Sequence, residues 1–175
     1  MVEKPVYLLD TDIFISAARS YYAFDVAPGF WQALIEQARN GRVLSIDRVK
    51  DEIMRGKDDL AKWAKEKFKN WFVLTADEQV ISSYRGIMTW VEAENQYFDP
   101  AKEEFANNAD GWLVAYAAVY RCTVTTNEKF EPNIQRRVKI PNVCREFNVL
   151  YIDTFEMLRA LGVRLGRKKP LGPIN

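Results

Sequence analysis

The chain has no histidine, only two cysteines and no long apolar run. Without an imidazole it can build neither a Ser-His-Asp or Cys-His nucleophile nor a zinc site with histidine ligands. Cys122 and Cys144 are too few for a disulfide scaffold, so both read as reduced core thiols of a cytoplasmic protein. No segment approaches the roughly 20 apolar residues that span a bilayer. The N-terminal MVEKPVY runs straight into a strand pattern without the apolar region of a signal peptide. The net charge of +1 gives no bulk attraction to nucleic acid, so the placement of charges matters more than their sum. Polar chemistry is left to carboxylates, lysines, or a metal that carboxylates hold.

What is present is an ordinary globular composition, 48% hydrophobic and 28% charged over 175 residues, enough for one domain with a full core. Apolar runs of strand length alternate with helical spacing: VYLL, then Phe30, Trp31, Leu34, Ile35 and Ala38, then Val43 to Ile46. Asn40-Gly41 is a helix stop. Asp47 opens a helix through Val49 and Ile53, and Leu60, Trp63, Ala64 and Phe68 mark another. Phe72 to Leu74 reads as a third strand and Ala76 to Asn95 as a long helix interrupted by Gly86. The acidic segment Glu94 to Asn108 reads as a loop or a poorly packed helix. Ala109 to Tyr120 reads as a helix with Trp112, Leu113, Tyr116, Ala117 and Tyr120 inward. Thr123 to Thr126 and Val149 to Ile152 are the last strands, and Thr154 to Leu161 the closing helix. Such alternation implies an α/β domain over residues 1–162 with a mostly parallel sheet. Residues 163–175 form a basic, Gly- and Pro-broken tail in which Arg167-Lys168-Lys169 is a candidate backbone contact.

Acids recur at equivalent places on these elements. Asp10 closes the first strand, Glu52 lies on the helix after the second, Asp110 opens the helix before the fourth, and Glu128 follows the fourth. Asp12 is a fifth candidate, as a ligand or as the cap of a helix from Ile13 to Ser20. Clustered carboxylates raise one another's pKa, and a hard divalent cation relieves that repulsion.

Asp10-Thr11-Asp12 after LL, Glu52 in VKDEIMRG, Asp110 in NNADGWLVAYA and Glu128 in VTTNEKF together resemble the ordered acids of the PIN-domain nucleases. Glu128 stands where Asp is usual. PGFW, DDLAKW and IPNVC extend the resemblance to a branch of small free-standing PIN-like proteins, over Val6 to about Leu161. The resemblance implies a three-layer α/β/α fold with a five-stranded sheet in the order 3-2-1-4-5. It also implies metal-dependent hydrolysis of RNA by Mg²⁺ or Mn²⁺ held by Asp10, Asp110, Glu128 and Asp12. Glu52 then positions a water or acts as its base, with Ser16 and Thr126 as supporting polar groups. Implied partners are RNA such as tRNA, an antitoxin protein and a second copy of the chain. Arg19, Lys129, Arg136, Arg137 and Lys139 are the candidate substrate cations, with Arg48 and Lys57 behind them; Tyr21, Tyr22 and Trp31 are candidates for stacking on bases. Two other readings are a catalytically inactive PIN-like scaffold and a haloacid-dehalogenase-type phosphatase. The latter also opens on an apolar strand and D-x-D, but Phe14 occupies its usual Thr or Val position.

Overall fold

The computed structural model describes residues 3–166. The expected tail thus lies outside the described residues beyond Gly166, including Arg167-Lys168-Lys169.

Tyr7–Leu9 forms strand β1 and Thr123–Thr125 forms β4, and every residue of both is buried. Such strands can only lie in the middle of a sheet covered on both faces. Val43–Ile46 (β2), Phe72–Val73 (β3) and Tyr151–Ile152 (β5) complete it. All pairings are parallel, in the order β3-β2-β1-β4-β5, with helices on both faces. Strand order therefore reverses between β1 and β4, where an open α/β sheet forms its crevice.

Nine α-helices connect and flank the strands among the described residues: α1 (Thr11–Ser16), α2 (Pro28–Arg39), α3 (Asp47–Arg55), α4 (Asp59–Trp63), α5 (Glu78–Ala93), α6 (Asp99–Asn107), α7 (Asp110–Tyr120), α8 (Ile140–Glu146) and α9 (Thr154–Ala160). α1 widens into a π turn at Ala17–Tyr21, and α4 continues through Ala64–Phe68 and Lys69–Trp71. Local sequence explains most ends. Pro28 starts α2, and Gly41 leaves it at φ +69°, which favours glycine. Asp58 caps α4, Asp77 caps α5, and Asp153 with Glu156 forms a capping box on α9. The aromatic content is concentrated in one wall, where Phe14 packs edge-on to Phe68 at 5.6 Å, Trp63 stacks on Phe68 and Phe24 on Trp31.

Three expectations are corrected. Residues 99–107 form a packed helix, because Ala101 and Phe105, four apart, bury one face of an otherwise polar segment. α7 buries Gly111, Leu113, Val114, Ala115 and Ala117, whereas Trp112 and Tyr116 are partly buried and Tyr120 is 49% exposed. The helix is apolar nearly all round, so its periodicity selects no face. Trp112 instead stacks on Tyr84 at 3.8 Å and carries the Arg48 guanidinium on its ring at 3.9 Å. α1 starts at Thr11 with Asp10 in the N-cap position, so Asp12 lies in its first turn and does not cap it.

Two glycines should respond oppositely to alanine. At Gly111 a Cβ would meet Tyr84 Cε2 at 3.0 Å and Phe105 Cε1 at 3.1 Å, while at Gly86 nothing lies within 4 Å. Gly111→Ala should destabilise the protein by about 1–3 kcal/mol through overpacking. Gly86→Ala should stabilise it by roughly 0.5–1 kcal/mol by restricting the unfolded chain. Urea midpoints of the two variants check both signs.

Candidate active site

β1 and β4 deliver their carboxyl ends side by side. Asp10 N–H donates to Thr125 O at 3.0 Å, and Thr126 Oγ1 donates to Asp10 Oδ2 at 2.9 Å. Asp10 is only 4% exposed. Although it occupies the N-cap position of α1, its side chain makes no capping bond. A buried carboxylate held by one hydroxyl is under-compensated for its charge.

Asp110 reaches the same edge from α7. The helix start is organised by other residues: Glu52 Oε1 accepts from Ala109 N at 2.7 Å, and Asn108 Oδ1 accepts from Asp110 N at 3.0 Å. The other Glu52 oxygen accepts from the Thr11 hydroxyl. Glu52 therefore ties α3 to the starts of both α1 and α7, and leaves the Asp110 carboxylate free of capping duty. Glu128 accepts from Ile140 N at 2.8 Å and from Arg137 Nη2 at 3.2 Å. Asp12 is exposed and accepts from Ser16 Oγ at 2.8 Å.

These acids share one electrostatic neighbourhood. Burial raises the Asp10 carboxyl from its ordinary 3.8 to about 7; the charges of Glu128 and Asp12 push the same way, and the Thr126 hydroxyl and, more weakly, the Asp12 backbone N–H oppose them. Burial likewise pushes Asp110 well above the carboxylate range, helped in turn by Asp10, Glu128 and Glu52 and opposed by Arg137. Oxygen donors with excess negative charge fit a hard divalent cation. The cage is not preassembled: among the described residues no three acidic or thiol side chains stand close enough together to hold a metal ion. Glu52 and Glu128 turn their oxygens to protein donors, which accounts for that spacing.

The candidate cations divide. Lys129, Arg137 and Lys139 lie on the segment after β4 and pair with Asp153, Glu128 and Glu131 respectively. Arg136 is exposed on the same segment. Arg19 pairs with Asp58 at 3.5 Å and lines a separate cleft with Phe24 and Asp25, away from the acids. Arg48 is spent on Trp112 and on Thr75 Oγ1, and Lys57 is exposed. Trp31, 4% exposed with its indole N–H on Tyr22 O, is a core residue and not a stacking platform. Tyr22 stacks on Phe30, whereas Tyr21 is 66% exposed. Both cysteines are free and buried, and burial pushes their thiols up. Thr11, Asn108 and Asn127 organise the site; they lie inside the motifs that carry the acids, but the sequence alone assigns them no role. Their partners lie far along the chain or are backbone groups.

A family model described as "Domain of unknown function (DUF4411)" matches residues 7–165. Among solved structures, the chain is similar to a chain of VapBC2 from Rickettsia felis bound to a DNA fragment from their promoter, with TM-score 0.53 and 15% identity over 85% of this chain and 98% of that one. It is also similar to a chain of FitAcB from Neisseria gonorrhoeae, with TM-score 0.54 and 17% identity over 84% and 96%. At these identities the likeness is one of fold. No curated protein sequence matches the chain.

The raised Asp10 predicts a pH signature in chelator. The folded protein holds this proton more tightly than the unfolded chain, so stability from this group is present below the ordinary carboxylate range and lost as pH rises towards about 7. The helix caps Asp77 and Asp153 act in the opposite sense, since helix N–H groups hold them below the ordinary range. Subtracting variant from wild type cancels the distant caps and leaves Asp10 together with its push on Asp110. Asp10→Asn should raise stability at pH 7 by on the order of 1 kcal/mol and have little effect near pH 4. Thermal melts across that range check it, and an Asn variant less stable at pH 7 would mark Asp10 as scaffolding.

Proposed function

The chain belongs to the DUF4411 family and has a PIN-like nuclease fold, and from that premise we propose that it is a metal-dependent ribonuclease. The observation that carries the reading is a pair of buried carboxylates, Asp10 and Asp110, both raised chiefly by burial, at the edge where the strand order reverses.

Asp10 and Asp110 would hold a Mg²⁺ or Mn²⁺ ion, with Glu128 and Asp12 as further oxygen donors. Such an ion, when bound, makes water a better nucleophile and neutralises charge on the phosphate. The chain's own residues set the geometry. Thr126 orients Asp10 through its hydroxyl. Glu52 fixes the first turn of α7, and with it the approach of Asp110. This makes Glu52 a positioning residue, with both its oxygens already engaged. Arg137, half exposed, pairs with Glu128 and can turn to a phosphate, whereas Lys139 is largely buried between Glu131 and Lys129 O. Lys129 and Arg136 extend that basic rim. The resemblance to small free-standing PIN domains adds an antitoxin partner, tRNA as a substrate and a second copy as further parts of the proposal. No helix of the described residues is long and apolar enough to cross a membrane.

A second reading, a catalytically inactive scaffold, is favoured by one observation, the lack of a preassembled three-ligand cage among the described residues. Metal linkage separates the two. Mn²⁺ should raise the melting temperature of the wild type and do so much less in Asp10→Asn.

In chelator at pH 7, Asp110→Asn should melt no lower than the wild type, for the reason given for Asp10, while cutting Mn²⁺-dependent cleavage of total tRNA by a factor of about 10²–10³, the scale on which losing one preorganised electrostatic group acts. Gel assays with and without chelator measure it. Equal cleavage by variant and wild type would reduce Asp110 to a helix-terminus residue.

A further inference from the structure

Beside the acids lies a cleft of about 310 Å³ lined by Asp12, Tyr21, Tyr22, Asn127, Lys129 and Phe155. It is continuous with the site in sequence, since Asp12 follows Asp10 by two residues and Asn127 follows Thr126 directly. Two of its walls are aromatic and open to solvent, with Tyr21 66% and Phe155 53% exposed. Exposed aromatics scattered singly are normal, but two on one cleft call for an explanation.

Tyr21 stands there because α1 does not continue as a regular helix. Tyr22 N–H reaches back to Ala17 O at 2.7 Å, and the widened turn Ala17–Tyr21 ends in the exposed ring. Such π turns often mark functional positions. Asn127 is oriented by α9: Thr154 Oγ1 donates to its Oδ1 at 2.9 Å, and the Thr154 backbone N–H, which can only donate, points at the same oxygen at 3.4 Å. Its NH₂ group faces away from those donors and finds no protein acceptor among the described residues. Lys129 stands at the rim, 71% exposed in its side chain and paired with Asp153 at 3.0 Å.

Two aromatic faces, a free amide donor and a rim ammonium next to a phosphodiester site suit one planar heterocycle attached to a phosphate. We infer that this cleft receives a single unpaired nucleobase of the RNA strand whose backbone reaches Asp10 and Asp110, and so sets which position is cut. The base stacks against Tyr21 and Phe155, the Asn127 amide donates to its edge, and Lys129 meets the adjoining phosphate. The inference rests on the nuclease reading for its strand, but its test does not.

The full chain is titrated in chelator with short single-stranded oligouridylates carrying one 2-aminopurine, moved position by position. Stacking should quench the fluorophore at one position. Tyr21→Ala and Phe155→Ala should each remove that quench and weaken binding about tenfold, the ordinary worth of one stacked base, while Tyr21→Trp keeps both. Both side chains are exposed, so melting curves should be unchanged and confirm that the variants fold. Unaltered quenching and affinity in both alanine variants overturns the inference, as does uniform or absent quenching in the wild type. A parallel Mn²⁺ cleavage assay on total tRNA keeps the two readings apart. Cleavage without position-specific quenching sinks the cleft alone, and quenching without cleavage sinks the nuclease alone and leaves the cleft standing.

Discussion

The hydrogen bond from Thr126 to the buried Asp10 carboxylate closes the junction of β1 and β4, and much of the structure is arranged around it. Two fully buried parallel strands must end somewhere. Their last polar groups either reach solvent or satisfy one another. Here the Asp10 N–H continues the ladder to Thr125 O, while its side chain is anchored by Thr126, the first residue after β4. The anchor fixes a carboxylate in a place where burial and neighbouring acids disfavour its charge. That tension is what separates this edge of the sheet from an ordinary strand end.

The other acids act as braces around the tension. Glu52 joins α3 to Thr11 and to the Ala109 amide, so three helices meet on one side chain. Glu128 joins the segment after β4 to the first residue of α8. Both carry their charge on protein donors, in the way helix-terminus acids ordinarily do. Asp10 has the Thr126 hydroxyl and a weaker approach from the Asp12 backbone N–H, and Asp110 has no donor among the described hydrogen bonds. Negative charge is thus distributed unevenly. The two acids with the least protein satisfaction are those that burial raises, Asp10 with help from Glu128 and Asp110 with help from Asp10. This uneven distribution is the physical basis for assigning a cation to that pair.

Aromatic residues serve two ends in one region. Phe14, Trp31, Trp63 and Phe68 pack into a wall that supports α1 from behind, with Trp31 fastened by its indole N–H to Tyr22 O. The next residue along from that anchor in the reverse direction, Tyr21, is pushed outward by the widened turn. A rigid wall and an exposed ring thus come from adjacent positions, and the wall is what would hold the ring in place.

The strand–helix alternation, the five strands, the carboxyl-edge placement of Asp10, the Gly41 stop and the start of the closing helix near Thr154 were legible in the sequence. Each rests on local rules: strand-length apolar runs, a short polar cap, or a glycine free to take positive φ. The order 3-2-1-4-5 came from the PIN resemblance, and the pairings agree with it. The inward face of α7 was not legible, because a helix apolar on all sides is oriented only by what packs against it; Tyr84 and Phe105 crowd a Cβ at Gly111. Nor could the sequence divide its aromatics and cations between structure and surface, so Trp31 and Arg48 were offered to a substrate when Tyr22 and Trp112 already held them. Which acid is a brace and which is raised was decided by contacts between residues far apart in the chain, Glu52 with Ala109 and Thr126 with Asp10. Sequence fixes the supply of carboxylates, but their charge states depend on burial and distance, and those exist only once the chain has folded.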